Sequence, residues 1–124
     1  MAYVESYRDL NVYKLSRDLS LSIYEMTKRF PSEEKFSLTD QIRRSSRSVG
    51  AQIAEAWAKR RYKKHFISKL TDADGEQQET QHWIEVACDC GYIDLNESED
   101  LIDQYKILGK MIGTMINKAS KFCK

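Results

Sequence analysis

Apolar residues recur every three or four positions through four long stretches of this chain, and nowhere do they alternate over the length of a strand. In residues 10–29 the stripe is Val12, Leu15, Leu19, Ile23 and Met26, and Phe30 extends it. The connector FPSEEKF follows and holds the chain's single proline, Pro31. Ser37 with Asp40 three residues later has a capping-box arrangement, which predicts the start of a second helix there. Its stripe runs Leu38, Ile42, Ser45, Val49, Gln52 or Ile53, and Ala56. A third helix is predicted over 62–90, with Phe66, Leu70, Ala73, Gln77, Thr80, Ile84 and Ala87 inward and Gly91 as a left-handed stop. The fourth opens at Asn96, where Glu97, Glu99 and Asp100 suit the positive end of a helix dipole. It buries Leu101, Tyr105, Leu108, Ile112, Met115, Ala119 and Phe122. Four amphipathic helices joined mostly by short connectors predict an all-α fold, an antiparallel up-down-up-down four-helix bundle.

At 124 residues and 41% hydrophobic content the chain suits one domain, residues 1–124, around one core. No apolar run approaches the roughly twenty residues that span a bilayer, so no membrane partner is expected. Three cysteines without an apolar leader point to free thiols in the cytoplasm. The net charge of +1 gives no global attraction to nucleic acid. The charges are instead segregated: residues 28–64 hold eleven basic and four acidic side chains, residues 72–103 eleven acidic and no Lys or Arg.

That segregation defines the candidate surfaces. If the second and third helices pack antiparallel about a turn near Arg61, Arg43 falls beside Glu79 and Arg47 beside Glu76, a set of structural ion pairs that neutralises both arginines. The turn offers no such compensation. Lys59, Arg60, Arg61, Lys63, Lys64 and Lys69 project a cationic tip flanked by Trp57 and Tyr62, a combination suited to stacking on single-stranded RNA or DNA and to holding its phosphates. The competing reading is a solvated bundle end kept soluble by its charge. Small residues along the second helix, with the apolar flank of Ile53 and Trp57, predict a subunit interface, whereas Gly109 and Gly113 suit close packing inside one subunit.

Catalysis finds little purchase. Glu79 and His82 have the Glu-x-x-His spacing of di-iron bundles, but that site needs the motif twice and the residue three before His65 is Tyr62. DADGEQQE starts like a calcium loop and fails, with Gln77 where glycine is required and Trp83 where the closing glutamate belongs. Cys88 and Cys90 fall on nearly opposite faces of a helix. There is no nucleophile elbow and no phosphate-binding glycine loop. No catalytic residue, metal, cofactor or small-molecule substrate is expected.

Beyond its pattern, the chain carries YRDLNVYKLS, the block FPSEEKFSLTDQIRRSSRSVGAQIAEAW, the His65–Phe66 pair, GEQQET, CGYI and LGKMIGTMI. With these it resembles, over nearly its whole length, the four-helix-bundle proteins of the 23S rRNA intervening-sequence family, the QIRRS…IAE block being the most specific match. The resemblance implies a closed helical bundle without known enzymatic activity, often a homopentamer. A distant relative is the accessory protein of diversity-generating retroelements, a basic pentameric bundle that binds nucleic acid. The expectation is a non-catalytic homo-oligomeric scaffold that binds RNA or DNA through the tip between helices two and three. The alternative is a protein-interaction module that docks a basic protein on the acidic surface of residues 72–103, without nucleic acid.

Overall fold

A computed structural model describes residues 4–123. Four long helices make the bundle: α1 (Asn11–Thr27), α2 (Leu38–Ala58), α3 (Lys63–Asp89) and α4 (Leu95–Asn117), followed by one turn of helix, α5 (Ala119–Phe122). No strand occurs among the described residues. Sequential helices pack as antiparallel neighbours. The α2–α3 seam is the most extensive and α1–α4, which closes the ring, the least.

The expected stripes are the ones buried. All seven predicted inward residues of α3, from Phe66 to Ala87, are buried, including the polar Gln77 and Thr80. Thr80 is tolerated there because its hydroxyl meets that of Ser45 on α2 at 2.8 Å, so neither buried oxygen is left unpaired. Leu15 alone of the α1 stripe stays half-buried. Gly109 lets α3 approach α4: a Cβ there would lie 2.7 Å from Gln77 Nε2. Gly113 faces open space and has no such role.

Some helix ends are set by the expected residue and others by a neighbour. Gly91 adopts φ +78°, the left-handed stop expected of it. The amides of Gly91 and Tyr92 then return to the carbonyls of Cys88 and Ala87, a Schellman closure. Ser37 does not cap α2. Its hydroxyl donates to Glu34 Oε1 at 2.5 Å, and the Leu38 amide donates to the same oxygen at 3.3 Å, so Glu34, in a 3-10 turn (Ser32–Glu34), supplies the cap. A carboxylate attracts a free amide at a helix start more strongly than a hydroxyl does, which is why Glu34 displaces Ser37. The fourth helix starts one residue before Asn96, because Asp94 accepts from the Glu97 amide at 2.8 Å. The capping box expected at Ser37 occurs instead at the other end of the molecule, where Ser6 and Asp9 exchange side-chain and backbone bonds around a 3-10 turn (Tyr7–Asp9).

Candidate nucleic-acid interface

The turn from α2 to α3 spans residues 59–62. Lys59 caps the end of α2, and the Tyr62 amide returns to the Lys59 carbonyl at 3.0 Å, which holds the turn tight. Lys59, Arg61, Lys63 and Lys64 are exposed, and among the described residues none has a carboxylate within 4.0 Å. Tyr62 stands among them 57% exposed, its ring 5.4 Å from that of His65.

Two expected members of the tip are committed elsewhere. Arg60 lies with its guanidinium 3.6 Å from the centre of the Trp57 ring, and its Nε donates to the Trp57 carbonyl. Lys69 is no free cation, since its ammonium reaches Glu55 at 3.6 Å and Gln52 Oε1 at 3.4 Å. It sits a turn and a half into α3, where it meets α2 rather than solvent.

The interface expected at Ile53 and Trp57 is corrected outright. Ile53 is 0% exposed and Trp57 9% exposed, both inside the bundle's own core. The helical stripe left Trp57 uncovered because its cover comes from the far end of the sequence. Phe122 of α5 folds back edge-on to it, ring centres 6.4 Å apart, and stacks on Phe66 at 6.0 Å. That same fold brings Ser120 to the Lys63 ammonium at 2.8 Å, so the exposed Lys118 and Lys121 join the cationic end of the bundle. Sequence reading missed these two lysines. Extending the antiparallel register to the α3–α4 pair, which sets the end of α4 beside the start of α3, is the signal that finds them.

The ion pairs expected of Arg43 and Arg47 are also corrected. Glu76 and Glu79 do hold an arginine, but it is Arg44, which bonds Glu76 at 3.2 Å and Glu79 more closely still. Antiparallel register matches heights along two helices, not azimuths around them. Arg43 lies about 100° round from Arg44 and faces α1. There its Nε donates to Thr27 Oγ1 at 2.7 Å and its guanidinium covers the Tyr24 ring at 4.8 Å, beside that of Arg47 at 5.6 Å. Burial pushes the Glu79 carboxyl up, yet the Trp83 indole and Arg44 outweigh it and hold the group below its ordinary range. Arg44 is held correspondingly higher by Glu79.

These bonds also use up the acid of the Glu-x-x-His pair. His82 is exposed and rests against the Trp83 ring at 4.7 Å. Among the described residues no three His, Cys, Asp or Glu side chains converge on a point that could hold a metal. The DADGEQQE segment is continuous α3, with Asp74 accepting from Gln77 and Gln78. Cys88, Cys90 and Cys123 are free thiols. No helix of the described chain is long and apolar enough to cross a membrane.

The sequence profile of the family described as 23S rRNA-intervening sequence protein matches residues 8–114, which takes in the α2–α3 tip and stops short of α5. Among solved structures the chain is similar to a protein of unknown function from the S23 ribosomal protein family of Bacteroides thetaiotaomicron VPI-5482. The two are 30% identical, with a TM-score of 0.77, over 86% of this chain and 95% of that one. A comparison with curated proteins gives no match. Neither the family nor the structural neighbour is described as an enzyme.

Proposed function

The chain belongs to the 23S rRNA-intervening sequence protein family, and from that premise we propose a non-catalytic, homo-oligomeric scaffold that binds single-stranded RNA or DNA in the cytoplasm. Four exposed cations without carboxylate partners, set around a half-exposed tyrosine, carry this reading. Lys59, Arg61, Lys63 and Lys64 supply phosphate contacts, and the Tyr62 and His65 rings supply a face for a base. Lys118 and Lys121 widen the charged rim. Stacking and phosphate contacts carry no base code, so binding is sequence-tolerant. A self-associating scaffold suits such a tip, because several weak contacts presented together raise the effective concentration of each. The three free thiols accord with a reducing compartment.

Anisotropy of a labelled single-stranded RNA, titrated with protein at several salt concentrations, tests this. The wild type should bind at low salt and lose affinity linearly in log-log form, with a slope of about 0.7 per phosphate contacted. Changing Lys59, Arg61 and Lys64 to Gln together should abolish that binding at low salt, with the helical signal unchanged. Failure of the wild type to bind any single strand at low ionic strength would sink the reading and leave the acidic α3–α4 surface, docking a basic protein, as the functional face.

A further inference from the structure

With Ile53 and Trp57 inside the core, self-association needs another surface, and the structure holds two that fit each other. The first is the outer face of α2 with the connector before it. Lys35, Phe36, Arg43, Arg47, Ser48 and Ala51 line a shallow depression there. Phe36 is 86% exposed, the most exposed large apolar side chain described, and the Lys35 ammonium rests over its ring at 5.3 Å. Among the described residues neither Lys35, Arg43 nor Arg47 has a carboxylate within 4.0 Å, and Asp40 is the only acid lining the depression. The floor of Ser48 and Ala51 admits a neighbour's side chains closely.

The second surface is the groove over the loosely packed α1–α4 seam, lined by Asp18, Leu21, Glu25, Arg29, Glu97 and Asp100 among others. Leu21 is 60% exposed within it. Arg29 is its only cation and is already bonded to Glu97. Asp18 and Asp100 have no Lys or Arg within 4.0 Å among the described residues. Glu25 is paired with Lys28 at 3.3 Å, and Glu97 with Arg29, so the charge left unpaired beside each exposed apolar residue is cationic on the first surface (Lys35, Arg43, Arg47) and anionic on the second (Asp18, Asp100).

Their heights also agree. Arg43 is level with Tyr24 and Thr27 of α1, and Gly50 is level with Ser16, so the stretch from Lys35 to Arg47 occupies the same half of the bundle as Asp18 to Arg29. Glu97 bonds Arg29, which places the start of α4 in that half too. Two bundles set side by side with parallel axes bring one surface against the other without sliding.

We propose that the arginine-bearing α2 face of one copy of this chain docks into the acidic α1–α4 groove of the next. Such a contact is heterologous, each subunit offering one face and one groove, so it closes into a ring when the rotation per subunit suits. Parallel axes put every α2–α3 tip on one rim, where their cations act together. The inference rests on the self-association in the proposed function and is independent of whether the ligand is nucleic acid.

The experiment is light scattering on the full chain at tens of micromolar, for the wild type and two charge-reversed variants. Asp18→Lys with Asp100→Lys reverses the groove, and Lys35→Glu with Arg47→Glu reverses the face. The wild type should be a multimer and each variant alone a folded monomer by circular dichroism. Mixed in equal amounts, the variants should reassociate, because each reversed surface then meets a partner of opposite sign. A variant that keeps the wild-type mass, or a mixture that stays monomeric, overturns the pairing of these surfaces while self-association stands. A wild type that is itself monomeric overturns both, and if it then binds poly-lysine through Asp18 and Asp100 the groove belongs to a foreign basic partner.

Discussion

The two ends of this bundle are built by opposite uses of polar side chains. At the end where α1 passes to α2 and α3 to α4, the connector is tied down by charged groups bonded to the protein itself. Glu34 accepts from Ser37, from the Leu38 amide and from the Tyr92 hydroxyl at 2.7 Å, and Arg29 pairs with Glu97 across the α1–α4 seam. At the other end the closure is apolar, with Trp57, Phe66 and Phe122 packed under the turn, and the cations above them bond little. A longer connector, residues 28–37, needs ties to hold its shape, whereas the turn of residues 59–62 is fixed by the helices it joins. Side chains freed from structural duty are the ones available to a ligand.

That contrast breaks most visibly at Trp57. If aromatic packing holds the tip end, Trp57→Ala removes the partner of Phe122 and the platform of Arg60, and should cost about 3–5 kcal/mol, as for other buried tryptophans. Thermal unfolding should show a fall of roughly 10 °C or more. A fall of only a few degrees would mean that α5 contributes no real cover and that Trp57 lies at an accessible surface after all.

At the opposite end the distinguishing observable is pH. Bonds from the Ser37 and Tyr92 hydroxyls hold the Glu34 carboxyl below its usual 4.5, and the Glu34 carboxylate pushes the Tyr92 hydroxyl up to about 12. A carboxyl lowered by folding contributes stability above its unfolded value and loses that contribution as the pH falls through the folded one. Wild-type melting temperature should therefore drop as the pH is taken from roughly 6 to 3, and Glu34→Gln should remove part of that slope while lowering the melting temperature at neutral pH. The effect should be smaller than that of Trp57→Ala. Parallel slopes in the two proteins would show that the Glu34–Tyr92 tie is not what holds the connector end.

The same contrast explains what could be read in advance. Inward positions of α3 and α4 were legible because each repeats a helical period that only burial explains, down to Thr80 and Gln77. Gly91 was legible because a left-handed stop has a residue of its own. What failed depends on the angle around a helix or on residues distant in sequence. Register placed Glu76 and Glu79 at the right height and still chose Arg43 and Arg47 over Arg44, since a shift of one residue rotates a side chain to another neighbour. Trp57 looked like a surface because Phe122 stands 65 residues later. The capping-box spacing of Ser37 and Asp40 points to Ser37 as the cap of α2, although Glu34, three residues earlier, is the stronger acceptor.

The smallest expected effect is also the sharpest test of the contrast. If the tip cations are free, changing Lys59, Arg61 and Lys64 to Gln should alter folding stability by no more than about 0.5 kcal/mol, the usual range for surface side chains, since Lys59 closes α2 through its backbone amide, which Gln keeps. The sign should be stabilising at low salt, because the three lie within a few residues of one another with Lys63 between, and their mutual repulsion is relieved. Added salt screens that repulsion over about 10 Å at 0.1 M, so the variant's advantage should vanish there. Melting curves of both proteins at low and moderate salt would measure it. A variant less stable than the wild type under both conditions would show that these cations hold the turn, and the α2–α3 end would then be tied by polar side chains as the connector end is.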